Sequence, residues 1–339
     1  MRYDRVRPYC IDDLETTVKT NRVYRIGIPV VGAIGLMGGQ AANACSSCGC
    51  TLNSDWSSQG YITGKGVSLD LRYDYFVQNE LRAGTHSVDR GSLEIPNEAE
   101  VQQETKNRNT TLGIDYGISR NWGVALQVPY FDRFHTTIAE GDTDISTSHT
   151  RSIGDVRVLA RYQGFSPDLS WGVQWGLKLP TGESDTLFRD GPQAGESLDR
   201  GLDPGTGTTD LLVGAYHVGS FGAGFSYFAQ ALAQVPLNSH HEFKPGKGLN
   251  VSVGARYRGW VHVIPQLQVN ARIEDRESGA EADVENSGAT LVFISPGLSI
   301  PFASRGDVYA FVQAPIYQRV NGLQLEAEYF LSVGVHYRY

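Results

Sequence analysis

The chain has 339 residues, 40% of them hydrophobic and 19% charged, with a net charge of −8. No stretch reaches the roughly 18–20 consecutive apolar residues of a transmembrane helix; the longest, Ile26 to Met37, contains a proline and three glycines. Low charge with 10% aromatic residues excludes an intrinsically disordered chain, and the acidic balance excludes a basic nucleic-acid-binding surface.

Residues 1–44 read as an export signal. Arg22 and Arg25 precede the apolar run, and Ala42-Asn43-Ala44 supplies the small-x-small pattern of a cleavage site. The polar segment before the run is unusually long, as though the true start lies further downstream. A short buried helix is the competing reading. Cleavage after Ala44 makes Cys45 the first mature residue, which opens a lipoprotein reading, although the residues before it lack the usual leucine.

From about residue 61 the chain alternates with period two, the signature of β-strands. The segment Leu323 to Tyr339 is the clearest case. Leu325, Ala327, Tyr329, Leu331, Val333, Val335 and Tyr337 fall on one face, with Gln324, Glu326, Glu328, Ser332, His336 and Arg338 on the other. Phe330 is the one large apolar residue on the polar face. In chain order the predicted strands are 62–78, 105–118, 121–137, 150–164, 168–180, 207–218, 221–236, 248–258, 261–275, 288–301, 306–319 and 323–339. Several far exceed the 5–6 residues typical of a soluble sheet.

Tight connections alternate with long ones such as 79–104 and 181–206. The exception is Asn321-Gly322, which suits a two-residue type I′ hairpin. Short turns on one side and long loops on the other, with Tyr and Trp near strand ends, predict a fold: an all-β, transmembrane, antiparallel up-and-down barrel of about 12 strands. It would lie in the outer membrane of a Gram-negative bacterium, against lipid, with its first strand near Leu69 paired to its last near Tyr337. The terminal Tyr339 resembles the signal read by the outer-membrane assembly machinery, a further expected partner.

The polar face carries the candidate functional residues. Strand parity aims Asp70, Arg72, Asp74, Asp115, Arg133, Asp155, Arg157, Arg161, Lys178, Asp210, Arg256, Arg258, Arg272, Glu274, Glu326, Glu328 and Arg338 at the interior, together with His135, His262 and His336. Both signs are present, so the group reads either as a polar conduit for a small-molecule solute or as ion pairs filling a narrow barrel. No hydrolase, P-loop or H-E-x-x-H motif is present, and a non-enzyme is expected. The acidic, glycine-rich loop Asp185 to Gly207 lacks the spacing of a calcium loop and reads as solvated. His240-His241-Glu242 reads the same way, although adjacent histidines can clip a metal.

Cys45, Cys48 and Cys50 form a C-x-x-C-x-C cluster at the expected mature N-terminus. Three soft ligands at that spacing suit a thiophilic ion, Cu or Zn, or a periplasmic thiol partner. One disulfide plus a spare thiol, or a lipidated Cys45 with a Cys48–Cys50 bridge, fits the oxidising compartment equally. The expected organisation is a signal peptide over 1–44, a Cys-rich periplasmic segment over 45–60 and a barrel over 61–339.

Three short motifs carry a family resemblance: Gly154-Asp155 opening a strand, Lys178-Leu179-Pro180-Thr181-Gly182 ending one, and Gly205-Thr206-Gly207-Thr208-Thr209-Asp210 opening the next. This order resembles the MetA-pathway of phenol degradation family of outer-membrane barrel transporters, best over 150–339. The resemblance implies a porin-like protein that admits hydrophobic or aromatic compounds. The cysteine cluster departs from that pattern and leaves a barrel-anchored metal or thiol-redox role as the alternative.

Overall fold

The computed structural model describes residues 59, 64–260, 262–302 and 304–339. The predicted signal and the cysteine cluster lie outside them.

Fourteen strands form one antiparallel sheet: β1 (Gly66–Ala83), β2 (His86–Ser87), β3 (Val101–Gly117), β4 (Trp122–Ile138), β5 (Ser146–Ile153), β6 (Val156–Tyr162), β7 (Trp171–Leu179), β8 (Asp210–Phe221), β9 (Phe225–Pro236), β10 (Gly248–Tyr257), β11 (Ile264–Glu274), β12 (Ala289–Phe302), β13 (Gly306–Val320) and β14 (Leu323–Arg338). Two do not count as separate crossings. β2 is a two-residue ribbon folded back on the end of β1. β5 and β6 are two halves of one span, since β5 pairs with Tyr130–Thr137 of β4 and β6 with Trp122–Gln127. Twelve crossings remain. β14 pairs with β1 and closes the barrel, with Leu69 opposite Tyr337 as the sequence predicts.

The alternation inverts that of a soluble protein. Leu71, Tyr73, Leu177, Val213, Val253 and Val333 are exposed on the outside, while Asp70, Arg72, Lys178, Ser252 and Ser332 are buried. A closed sheet with an apolar exterior satisfies its own backbone groups, as a span through hydrocarbon requires. An aromatic belt rings the short-turn end. It runs through Trp122–Tyr162 (ring centroids 4.8 Å apart), Trp171–His217 (4.4 Å), Phe225–Tyr257 (4.6 Å) and Tyr337–Tyr339 (4.9 Å). Such girdles sit at headgroup level. The protein is an outer-membrane β-barrel.

Two local expectations are corrected. The segment 150–164 is not one strand, because it breaks at Gly154-Asp155. The hairpin at Asn321-Gly322 is not type I′, since only Gly322 takes a left-handed φ (57°). The neighbouring loop sets its shape instead: Asn286 Oδ1 accepts from the Leu323 amide at 2.9 Å, and the Asn321 amide donates to the Gly288 carbonyl at 3.1 Å.

The break at Gly154 is a junction of three glycines. A Cβ on Gly182 would meet the Gly205 Cα at 2.7 Å and the Gly154 carbonyl carbon at 2.9 Å. Above this point β5 has β4 on one side and, on the other, an isolated bridge from Thr147 to Asp190 of the long loop. Gly205→Val must force these backbones apart. We expect it to destabilise the barrel by about 2 kcal/mol or more, read as a lower midpoint for loss of the heat-modifiable folded form. Ser197→Ala, at an exposed position of the same loop, should leave the midpoint unchanged.

Candidate functional site

The barrel interior gathers most of the predicted charged residues, and it does so in pairs. Tyr309 Oη donates to both oxygens of Asp70 at 3.0 Å. Arg72 Nε donates to Asp74 Oδ2 at 2.8 Å, and Ser332 Oγ donates to Asp74 Oδ1 at 2.5 Å. Arg161 pairs with Asp115. Arg272 pairs with Glu274 at 2.8 Å, Arg157 reaches Gln234 Oε1 at 3.5 Å, and Gln318 Nε2 lies 3.5 Å from Glu326 Oε2. Arg256 donates to Ser226 Oγ at 2.8 Å and to the carbonyl of buried Gln59 at 2.9 Å, so Gln59 contacts the inner wall.

Three predicted positions differ. Arg258 and His262 lie past the end of β10 in an exposed turn. Glu328 is exposed, because β14 bulges between Ala327 and Phe330 where it pairs with β1. Arg338 is half-buried at the same end as the aromatic belt, whereas His135 and His336 are buried.

The three sequence motifs converge on Lys178. Its Nζ lies 2.8 Å from Asp155 Oδ2 and 3.1 Å from Asp210 Oδ2, and it donates to Thr206 Oγ1. Asp155 also accepts from the amides of Gly182 (3.1 Å) and Thr206 (3.0 Å). Asp210 accepts from Thr208 Oγ1 at 2.7 Å and Gln234 Nε2 at 2.6 Å. Two carboxylates share one ammonium, and the remaining lone pairs are met by loop backbone and hydroxyls. The motifs therefore anchor the two ends of the long loop to the inner wall.

That loop, residues 180–209, is not simply solvated. Phe188, Leu198 and Leu202 form their own buried cluster, and Arg133 Nη1 donates to the carbonyls of Leu202 (2.7 Å) and Gly201 (3.2 Å). Asp203 ties the loop's start to its end by accepting from the amides of Asp185 (3.0 Å) and Thr186 (3.2 Å). Burial pushes the Asp203 carboxyl up to about 6 against these hydrogen bonds. Burial, reinforced by Glu277, holds Asp199 well above the usual carboxylate range, and burial likewise raises Asp283.

Sequence reasoning missed an apolar cluster among these charges. Phe76, Leu291, Phe293, Val320, Ala327 and Phe330 are buried together with Ala289. The rings of Phe76 and Phe330 lie 4.4 Å apart, and those of Phe293 and Phe330 5.2 Å apart. Phe76 shares the inward parity of Asp74 and Gln78, and Phe293 that of Ser295. The signal was present in the sequence as Phe76 and Phe330, large apolar residues at polar-face positions.

No protein-family model matches the chain, and no curated protein does. Among solved structures, an outer membrane channel from Pseudomonas putida F1 has a TM-score of 0.60 at 12% identity, covering 82% of this chain and 97% of its own. A monoaromatic hydrocarbon channel, CymD, has a TM-score of 0.44 at 9% identity over 89% and 94% of the two chains. The toluene transporter TbuX of Ralstonia pickettii has 0.41 at 9% identity over 89% and 98%. The first of these likenesses supports the barrel fold.

Two predictions follow from the site. Lys178→Met leaves two buried carboxylates facing each other without their cation, so stability should fall by about 3–5 kcal/mol in denaturant titrations. Adding Asp155→Asn should recover part of that loss. The second concerns pH. Asp203 binds its proton more tightly in the fold than in the unfolded chain, so its stabilising contribution is full in acid and is lost as pH rises through about 6. Asp199 and Asp283 have the same sign. Amide exchange over 184–203, corrected for intrinsic rates, should be slower at acid than at alkaline pH. Asp203→Asn should flatten that dependence.

Proposed function

We propose that the chain is an outer-membrane channel for small hydrophobic or aromatic molecules, with the interior of the barrel as the path. The observation that carries this reading is the inward cluster of Phe76, Leu291, Phe293 and Phe330 within a largely polar interior. Phe76 and Phe293 are 0% exposed, so a passing solute has to part these rings, and it gains on the order of 25 cal/mol for each Å² of apolar surface it then buries against them.

The charged residues around the cluster have a different part in this reading. Asp70, Arg72, Asp74, Asp115, Arg161 and Lys178 are already engaged with one another or with Tyr309, Thr206 and Ser332. They brace one another across the interior, which leaves the apolar cluster as the surface that an apolar solute would meet. The reading agrees with the substrate class that the motif resemblance implies. No observation among the described residues favours the thiol or metal alternative built on Cys45, Cys48 and Cys50.

The test is uptake of labelled toluene by cells whose outer membrane contains the wild-type barrel or a variant. Phe293→Asp places a charge in the apolar patch and should lower uptake by about tenfold or more, with heat-modifiable mobility showing that the barrel still folds. Phe293→Leu should retain most of the uptake. Equal uptake by wild-type and Phe293→Asp barrels would overturn the reading.

A further inference from the structure

Two loops at the long-loop end bring two histidines and a carboxylate to one point. Asp185 lies early in the loop after β7, and His240-His241 lie between β9 and β10. One ligand atom from each of the three lies within 4.8 Å of the others. His240 Nε2 is 3.7 Å from Asp185 Oδ2, and His241 Nδ1 is 3.4 Å from Asp185 Oδ1.

The local backbone is built to hold them there. The His240 amide donates to the Phe243 carbonyl at 2.8 Å, and the Phe243 amide returns a bond to the His240 carbonyl at 2.9 Å. His241 and Glu242 form the tip of this tight turn with φ of 45° and 57°. That is type I′ geometry, which normally calls for Asn-Gly. Asp185 is itself left-handed, with φ of 66°. Buried Phe243 pins the turn, and the His240 and His241 rings stack at 3.9 Å. Gly207 makes room for the His240 ring, which a Cβ there would approach to 2.3 Å. Arg200 grips Asp185 and also lies 3.8 Å from Asp203, so the carboxylate is oriented by a second layer of charge.

The separation of His240 Nε2 from Asp185 Oδ2 exceeds a hydrogen bond. Donors about 2.0–2.2 Å from a metal lie about 3.0–3.5 Å from each other; His241 Nδ1 and Asp185 Oδ1 at 3.4 Å already have that spacing, and His240 Nε2 needs to move in by a few tenths of an ångström to reach it. All three side chains are partly or fully exposed, so an ion reaches them from outside and keeps open positions for water.

We propose that Asp185, His240 and His241 form a binding site for a divalent transition-metal ion of the Zn2+ class, which ties the loop after β7 to the loop after β9. Two imidazoles and a carboxylate are the donor set such ions prefer, whereas Mg2+ and Ca2+ favour all-oxygen sites. The site uses none of the three cysteines and does not depend on the channel reading.

The test is calorimetric titration of the purified full-length protein with Zn2+. The background is Cys10→Ser/Cys45→Ser/Cys48→Ser/Cys50→Ser, so that thiols do not contribute. One saturable site is expected. His240→Gln and His241→Gln should each weaken it by about tenfold or more, and Asp185→Asn similarly. Heat-modifiable mobility verifies that each variant folds. Lys244→Ala, on the same loop but outside the donor set, should bind as the parent does. Absence of saturable binding in the parent would overturn the proposal. So would Zn2+ affinity that is unchanged in the folded histidine variants.

Discussion

Every backbone amide facing lipid must find its partner within the chain, and the pairing of β14 with β1 is what makes this possible. An open sheet would leave two edges of unpaired N–H and C=O groups in hydrocarbon, each costing several kcal/mol. Closure also defines an inside, and with it the meaning of the alternation. Leu71 and Val333 can face out only because Asp70, Arg72 and Ser332 have somewhere to go. The buried charges depend on the same closure, since Tyr309 reaches Asp70 and Ser332 reaches Asp74 from the strands on the far side of the seam.

Burying charge inside a barrel is costly unless each group is met. The interior meets that demand unevenly. Near the aromatic belt, Asp115 is paired with Arg161. Near the long loops, Lys178 holds two carboxylates at once and recruits the loop to complete their hydrogen bonds. The result is a loop fixed by its ends, with its middle supported by Arg133 and its own apolar cluster. The wall above Gly154 is thus completed by a loop rather than by a strand.

The strand pattern was legible because period two survives in a single sequence. The last span, the count of crossings and the closing pair Leu69–Tyr337 all came from parity and gap length. Most of the charged residues that parity aims inward are buried. Parity failed at Glu328, where a bulge shifts the register, and bulges leave no local mark in composition. The motif around Lys178 was readable as three fragments, but their convergence joins residues far apart in the chain. The turn at His241-Glu242 was unreadable for a different reason. It adopts a conformation that its residues do not favour, so nothing in the local sequence announces it.

The apolar cluster straddles the seam. Phe76 belongs to the first strand, Phe330 to the last, and Leu291 and Phe293 to β12, two places away. The residues that would select a solute are therefore also those that clasp the barrel shut from within. A Phe→Ala change in such a cluster costs about 3–5 kcal/mol, drawn from the step that converts a linear sheet into a sealed wall. On the channel reading, specificity and assembly are coupled at this point. A lineage that retunes what passes must do so by reshaping these rings together, or must compensate elsewhere along the seam.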